Sequence, residues 1–209
     1  MELRTLLIIS IASIFVNNFV LNRFLGICPY MGVSKELSSA LGMGFAVIFV
    51  MTLASFVTWL IYVYLLEPAS TNVFFHMFSM KQPPDLTFLR TIAFILVIAG
   101  LVQFVEMVIQ KSAPSLYKAL GIYLPLITTN CAILGVTVLN INDSLNLLES
   151  ITQGFMSGVG FTLALALMAG IREKLDRAQV PESFKGTPIA FITAALMSIA
   201  FLGFAGLRL

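Results

Sequence analysis

Asn17-Asn18-Phe19-Val20-Leu21-Asn22-Arg23-Phe24-Leu25-Gly26-Ile27-Cys28-Pro29-Tyr30-Met31-Gly32-Val33 is the stretch that decides how this chain is read. A long apolar run is interrupted there by asparagines, a glycine and a proline, residue types that open a helix rather than extend it. The chain's second and last cysteine opens a matching motif in the other half of the sequence. Cys28-Pro29-Tyr30-Met31-Gly32-Val33 and Cys131-Ala132-Ile133-Leu134-Gly135-Val136 both read C-x-x-x-G-V. Soft thiolates at matched places within apolar segments point to redox or metal chemistry more than to packing.

Composition sets the surroundings. The chain has 209 residues, 59% hydrophobic and 11% charged, with a mean hydropathy of +0.99. A soluble domain carries about 25% charged residues. The sequence therefore predicts an all-α membrane protein embedded in a lipid bilayer. A net charge of +2 with no cluster of Lys and Arg excludes a nucleic-acid partner. The longest polar stretches, 66–90 and 172–187, are of loop size and leave no room for a soluble nucleotide- or flavin-binding domain. Arg4 ahead of an apolar run with Ser10, Ala12 and Ser13 resembles a signal peptide. The apolar character continues through Val20 and Leu21, so an uncleaved first span is expected.

A membrane-spanning helix needs about 20 mostly apolar residues. Six stretches qualify: 4–24, 40–65, 90–110, 118–139, 150–171 and 187–207. Basic residues choose the orientation. With the N-terminus outside, the inner side carries Arg23, Lys35, Lys111, Lys118, Arg172, Lys174, Arg177 and Lys185, and the outer side only Arg4, Lys81, Arg90 and Arg208. Both termini are expected outside.

The halves echo each other beyond the cysteines. Phe88-Leu89-Arg90-Thr91-Ile92-Ala93-Phe94-Ile95 parallels Phe184-Lys185-Gly186-Thr187-Pro188-Ile189-Ala190-Phe191-Ile192, and Ser38 and Gly42 align with Ser150 and Gly154. The matches keep their order, one per helix of a three-helix unit. Three spans is an odd number, so the second copy must enter from the opposite face. The prediction is a single integral membrane domain, 1–209, of six helices in two inverted three-helix repeats, about 1–111 and 112–209. Its first and fourth helices should be interrupted, by Asn17, Asn18, Asn22, Gly26 and Pro29 and by Gly121, Pro125, Thr128, Thr129, Asn130 and Gly135. Pro29 suits the first turn of a restarting helix, where its missing N–H costs nothing.

A free cysteine is often just a small buried hydrophobe. Repetition at equivalent positions, each flanked by Asn or Gly, argues for more. Three chemical readings stay open on these residues: a thiol/disulfide relay between Cys28 and Cys131, thiolate ligation of iron, and a transport path in which the thiols are incidental. Iron–sulfur centres normally take four thiolates, so a partner would have to bring the rest. A four-thiolate [2Fe–2S] core carries a formal charge of about −2 when oxidised. Such a charge is costly in hydrocarbon unless donors and dipoles face it. Asn17, Asn18, Asn22, Thr128, Thr129 and Asn130 are candidate donors, though each could equally serve to satisfy a broken backbone.

The segments Val16–Leu21, Phe24–Lys35 and Leu120–Ala132 resemble the A-subunit family of the Rnf electron-transport complexes, in the wider Rnf/Nqr group. The E-type protein of the sodium-translocating NADH:quinone reductase is a relative, but the Asn-Asn and Cys-Pro signatures favour Rnf. The resemblance covers nearly the whole chain; the stretch from Ala69 to Pro84 is longer than the family pattern. It implies a membrane subunit of an ion-translocating ferredoxin:NAD oxidoreductase, moving electrons coupled to Na⁺ or H⁺ in the bacterial inner membrane. It further implies a homologous partner of inverted topology, the Rnf E subunit, alongside other Rnf subunits. The pair would share a [2Fe–2S] cluster, with Cys28 and Cys131 as this chain's cofactor-binding metal ligands. A single iron with four sulfur ligands would fit the same residues. By this resemblance the chain is not catalytic alone.

Other residues carry weaker signals. Glu106, with Gln103 a turn before it, is an intramembrane carboxylate and so a candidate for an ion path, but Lys111 is near enough to put it at the interface. Gly42, Gly44, Gly154, Gly158 and Gly160 read as close helix packing. His76, among Phe74, Phe75, Met77, Phe78 and Met80, reads as an interfacial loop. Arg172-Glu173-Lys174-Leu175-Asp176-Arg177 reads as a solvated inner loop.

Overall fold

Where the apolar runs lack breaks, they form long helices. In a computed structural model, which describes residues 2–67, 87–112 and 124–206, the chain is helical and no strand occurs among the described residues. The elements are α1 (Glu2–Ile11, continued by a π turn Ala12–Val16), α2 (Ile27–Val33), α3 (Leu37–Ile61, continued by a π turn Tyr62–Leu66) and α4 (Arg90–Ser112). They continue with α5 (Leu124–Thr128), α6 (Cys131–Asn142), α7 (Leu147–Leu175) and α8 (Thr187–Leu202). His76, the long 69–84 stretch and Gly121 lie outside the described residues.

Three of the expected spans are long and apolar enough to cross a bilayer unaided: Leu37–Leu66, Thr87–Val108 and Leu147–Leu175. Arg4–Val16, Leu126–Asn142 and Thr187–Leu202 are apolar but shorter. The first and fourth are short because they are broken, as the asparagines and glycines predict. At 1.5 Å per residue, α7 with its 29 residues is about 43 Å long and overshoots a core of about 30 Å. Its start is fixed by a capping box of Asn146 and Glu149. Its polar last turn, Arg172 to Leu175, continues a helix where sequence alone predicts a loop.

The core is the pair α3 and α7. A Cβ added at Gly44 would strike Thr162, one at Gly158 would lie 2.7 Å from the Ile48 Cα, and one at Gly154 would lie 2.9 Å from the Met51 carbonyl. As numbers rise along α3 they fall along α7, so the two helices run antiparallel with their backbones in near contact. This is the small-residue packing the glycines predict. An alanine at Gly158 must push α3 away, which costs about 1–3 kcal/mol as overpacking. Gly170 lies on the same helix with nothing within 4 Å of such a Cβ. Thermal unfolding of the detergent-solubilised protein should therefore show Gly158→Ala clearly destabilised and Gly170→Ala not. Equal melting of the two variants would mean that the helices do not touch there.

Side chains tie the ends. At one end Glu173 accepts from the Leu37 N–H at 3.0 Å, and Arg172 donates to the Met31 carbonyl at 2.8 Å and to Ser34 Oγ at 3.0 Å. At the other, Trp59 Nε1 donates to the Leu145 carbonyl at 2.9 Å and Arg90 to Asn142 Oδ1 at 3.0 Å. Hence α2 runs toward one end of α3 and α6 toward the other.

Candidate functional site

The broken first helix is held open by its own asparagines. After the π turn, Asn18 is fully buried; its Oδ1 accepts from the Val20 and Leu21 N–H groups at 3.0 and 3.2 Å. Its amide donates to the Ile14 carbonyl at 3.0 Å and to the Gly160 carbonyl on α7 at 2.8 Å. Asn22 donates to the Val16 carbonyl at 2.5 Å. In apolar surroundings freed backbone groups must find protein partners, and here Asn18 and Asn22 supply them. Asn18, with all these bonds made, is a strut and not a free donor. Asn17 is exposed. Arg23, exposed and within the break, lies over the Phe19 ring at 5.7 Å.

The break ends at Gly26, the residue before α2, in the left-handed region with φ 77°. A side chain is disfavoured there. Space forbids one as well: an added Cβ would lie 2.7 Å from the Phe161 ring and 2.9 Å from Asn130 Oδ1. Gly26 is thus pressed onto the second break. Its N–H donates to Cys131 Sγ at 2.9 Å. Gly135, one turn into α6, gives way to Leu25, whose Cδ1 would be 2.7 Å from an added Cβ. The second glycine of the C-x-x-x-G-V motif therefore seats the first break on α6. A Cβ added at its counterpart Gly32 would meet only Leu126, at an ordinary 3.9 Å.

The cysteines follow from this seating. Cys28 is the second residue of α2 and Cys131 the first of α6. Pro29 lies in the first turn of α2, where a proline is tolerated. The seven residues of α2 and the twelve of α6 measure about 10 and 18 Å along their axes. Placed start to start and running to opposite ends, they fill about the 30 Å of a bilayer core. Such a stack would put their starts, and both cysteines, near its middle. Two positive helix ends converge there. Both thiols are free and exposed on the surface of the chain.

Asn130 begins α6. Its Oδ1 accepts from the Ala132 N–H at 3.0 Å, the ordinary N-cap bond. Its Nδ2 is buried without a hydrogen-bond partner among the described residues, which costs about 1–3 kcal/mol. The buried hydroxyls of Ser55, Ser150 and Ser157 and the Asn140 Oδ1 also lack partners among the described residues. A helical hydroxyl can turn onto the carbonyl four residues back, as Thr52, Thr58 and Thr162 do. An amide N–H₂ whose oxygen is fixed by a cap has no such freedom. Asn130 also lines a cavity of about 410 Å³ with Thr128, Thr129, Cys131 and Leu134, closed on its other side by Ile95, Ile98 and Ala99 of α4.

No group of three or more His, Cys, Asp or Glu side chains among the described residues could enclose a metal ion. What the chain offers is two outward-facing thiols, converging helix starts and an orphaned amide donor. These fit a sulfur-ligated anionic centre that is completed by another chain. Glu106 is half-buried on α4 and forms no part of this cluster. Sequence reasoning missed Gly26 as the donor to Cys131, and Arg172 as the cap on the α2 carbonyls. Neither has a signal in the sequence, since each acts on a residue more than a hundred positions away.

Comparison with known proteins gives one consistent result. The model of the family described as "Rnf-Nqr subunit, membrane protein" matches residues 6–208. The chain is 56% identical over 205 residues to the A subunit of the Na(+)-translocating ferredoxin:NAD(+) oxidoreductase complex of Acetobacterium woodii, covering 98% of this chain and 99% of that one. It is 55% identical over 201 residues to the A subunit of the ion-translocating oxidoreductase complex of Citrobacter koseri, with 96% of each chain covered. The protein of the same description from Proteus mirabilis is 53% identical over 201 residues, again covering 96% of each.

Proposed function

Since the chain belongs to the Rnf-Nqr family of membrane subunits, we propose that it is the A subunit of an ion-translocating ferredoxin:NAD oxidoreductase complex. In this reading Cys28 and Cys131 supply two of the four thiolates of a [2Fe–2S] centre. A homologous protein of opposite topology, the Rnf E subunit, supplies the other two. The observation that carries the reading is the bond of 2.9 Å from the Gly26 N–H to Cys131 Sγ. It joins the two breaks, so that cysteines distant in sequence share one neighbourhood and the Cys131 sulfur already receives a donor. When bound, such a centre takes up and releases one electron at a time.

This chain's own part is positional. The converging starts of α2 and α6 favour negative charge between them. Asn18 and Asn22 keep the first break open without drawing on the donors around the sulfurs. The exposed thiols leave one side of the site for the partner. The chain crosses the bacterial inner membrane six times as two inverted units, with both termini outside, and the antiparallel pairing of α3 with α7 is what an inverted repeat requires of its equivalent helices. Electron passage is coupled to movement of Na⁺ or H⁺ through the complex.

The test is the iron and acid-labile sulfide content of the chain purified with its partner subunits. About two irons and two sulfides per copy are expected. One iron without labile sulfide would replace the cluster by a mononuclear site. Absence of both would end the iron reading.

A further inference from the structure

We propose that Asn130 is a positioning residue of the redox centre, its side-chain N–H₂ donating to a sulfur there and favouring the reduced state. The inference rests on the iron–sulfur reading above and adds a residue to it. Asn130 is only 4% exposed, and its Oδ1 is committed to the cap: it accepts from the Ala132 N–H at 3.0 Å. The cap fixes which end of the amide is oxygen, because an N–H₂ cannot face the Ala132 N–H. The remaining end is a buried donor with no acceptor among the described residues. Backbone repair does not account for it, since the oxygen alone performs that task.

The acceptor it lacks is indicated by what adjoins it. Asn130 directly precedes Cys131 and shares with it the cavity beside α4. A neutral thiol is a poor acceptor, whereas a thiolate or sulfide carrying negative charge takes a strong, charge-assisted bond. With the Gly26 N–H already on Cys131 Sγ, a second donor concentrates N–H groups on one side of the centre. Hydrogen bonds to the sulfurs are among the factors that set the potential of such centres. Each donor stabilises the more negative, reduced form and raises that potential.

The experiment is a redox titration, followed by electron paramagnetic resonance, of the purified complex carrying Asn130→Ser. Serine keeps an oxygen for the N-cap but removes the N–H₂. Iron and sulfide content should be unchanged, and the one-electron equilibrium should move about tenfold toward the oxidised form, a fall of ~59 mV. Pulsed resonance after exchange into heavy water should also lose one exchangeable-proton coupling seen in the wild type. An unchanged potential with the centre intact overturns the proposal and assigns Asn130 to capping alone, its amide facing only water. Should the serine variant fail to hold the centre, Asn130→Thr, which also keeps a neutral cap oxygen without the N–H₂, must show the same fall. If both variants assemble without the centre, the amide serves to hold the centre and not to set its potential, and the proposal fails. A wild-type complex lacking iron and sulfide would instead sink the underlying reading.

Discussion

Serine at Cys28 or at Cys131 is expected to remove the visible absorbance and the bound iron from the assembled complex, while the chain itself still folds. The hard hydroxyl oxygen of serine is a poor substitute for a thiolate on iron, and a four-ligand site missing one sulfur from either half does not close. Folding should survive because both cysteines lie on the surface, so no packed sulfur is lost from the core. The Gly26 N–H can still donate to a serine oxygen at position 131. Optical spectra and iron analysis of the two variants are the measurement. A thiol relay predicts a different outcome: iron absent throughout, alkylation-sensitive thiols in the wild type, and mixed disulfides trapped in the single-cysteine variants. A plain carrier would tolerate both substitutions.

Gly26→Ala is expected to be nearly as damaging, although alanine adds one methyl group and touches no ligand. The φ of 77° costs an L-residue about 1–2 kcal/mol. The new Cβ would meet the Phe161 ring at 2.7 Å, Asn130 Oδ1 at 2.9 Å and the Ala132 Cβ at 3.3 Å, adding overpacking of about 1–3 kcal/mol. Phe161 is fully buried on α7 and cannot swing aside cheaply. The nearest relief is separation of the two breaks, which breaks the bond to Cys131 Sγ. Thermal unfolding should fall by about 2–5 kcal/mol in stability, and iron retention should fall with it. A Gly26→Ala protein that melts normally with full iron content would show that the breaks are not pressed together.

The fold was legible wherever a property is periodic or local. Unbroken apolar runs marked α3, α4 and α7, and clustered Asn, Gly and Pro marked the two interruptions. The glycines of α3 and α7 signalled close approach, though not the antiparallel register that Gly44, Gly158 and Gly154 reveal. The cysteines stood out by their repeated motif. What carried no mark was any interaction whose partners are distant in sequence. Asn18 and Asn130 look alike on paper, each a polar residue beside a break. Only packing shows that one spends both ends of its amide on backbone groups while the other keeps a donor unspent. Arg172 looked like part of a solvated loop because its partner, the end of α2, is defined by the break and not by its own composition.

The tight seam between α3 and α7 has a mechanical corollary. Three successive levels of close approach, two of them onto backbone atoms, leave no clearance for one helix to slide along the other, so shear between the halves would have to lift a whole helix. Any rocking that accompanies the work of the complex must turn about this pair as an axle. The short helices α2 and α6 pack against it through Tyr30 and Val33 and through Ala132, Ile133 and Val136, and are tied at their far ends by side-chain bonds from Arg172 and Arg90. Those short arms are also the ones that begin at the cysteines, so displacement of either would be felt first at the sulfur atoms.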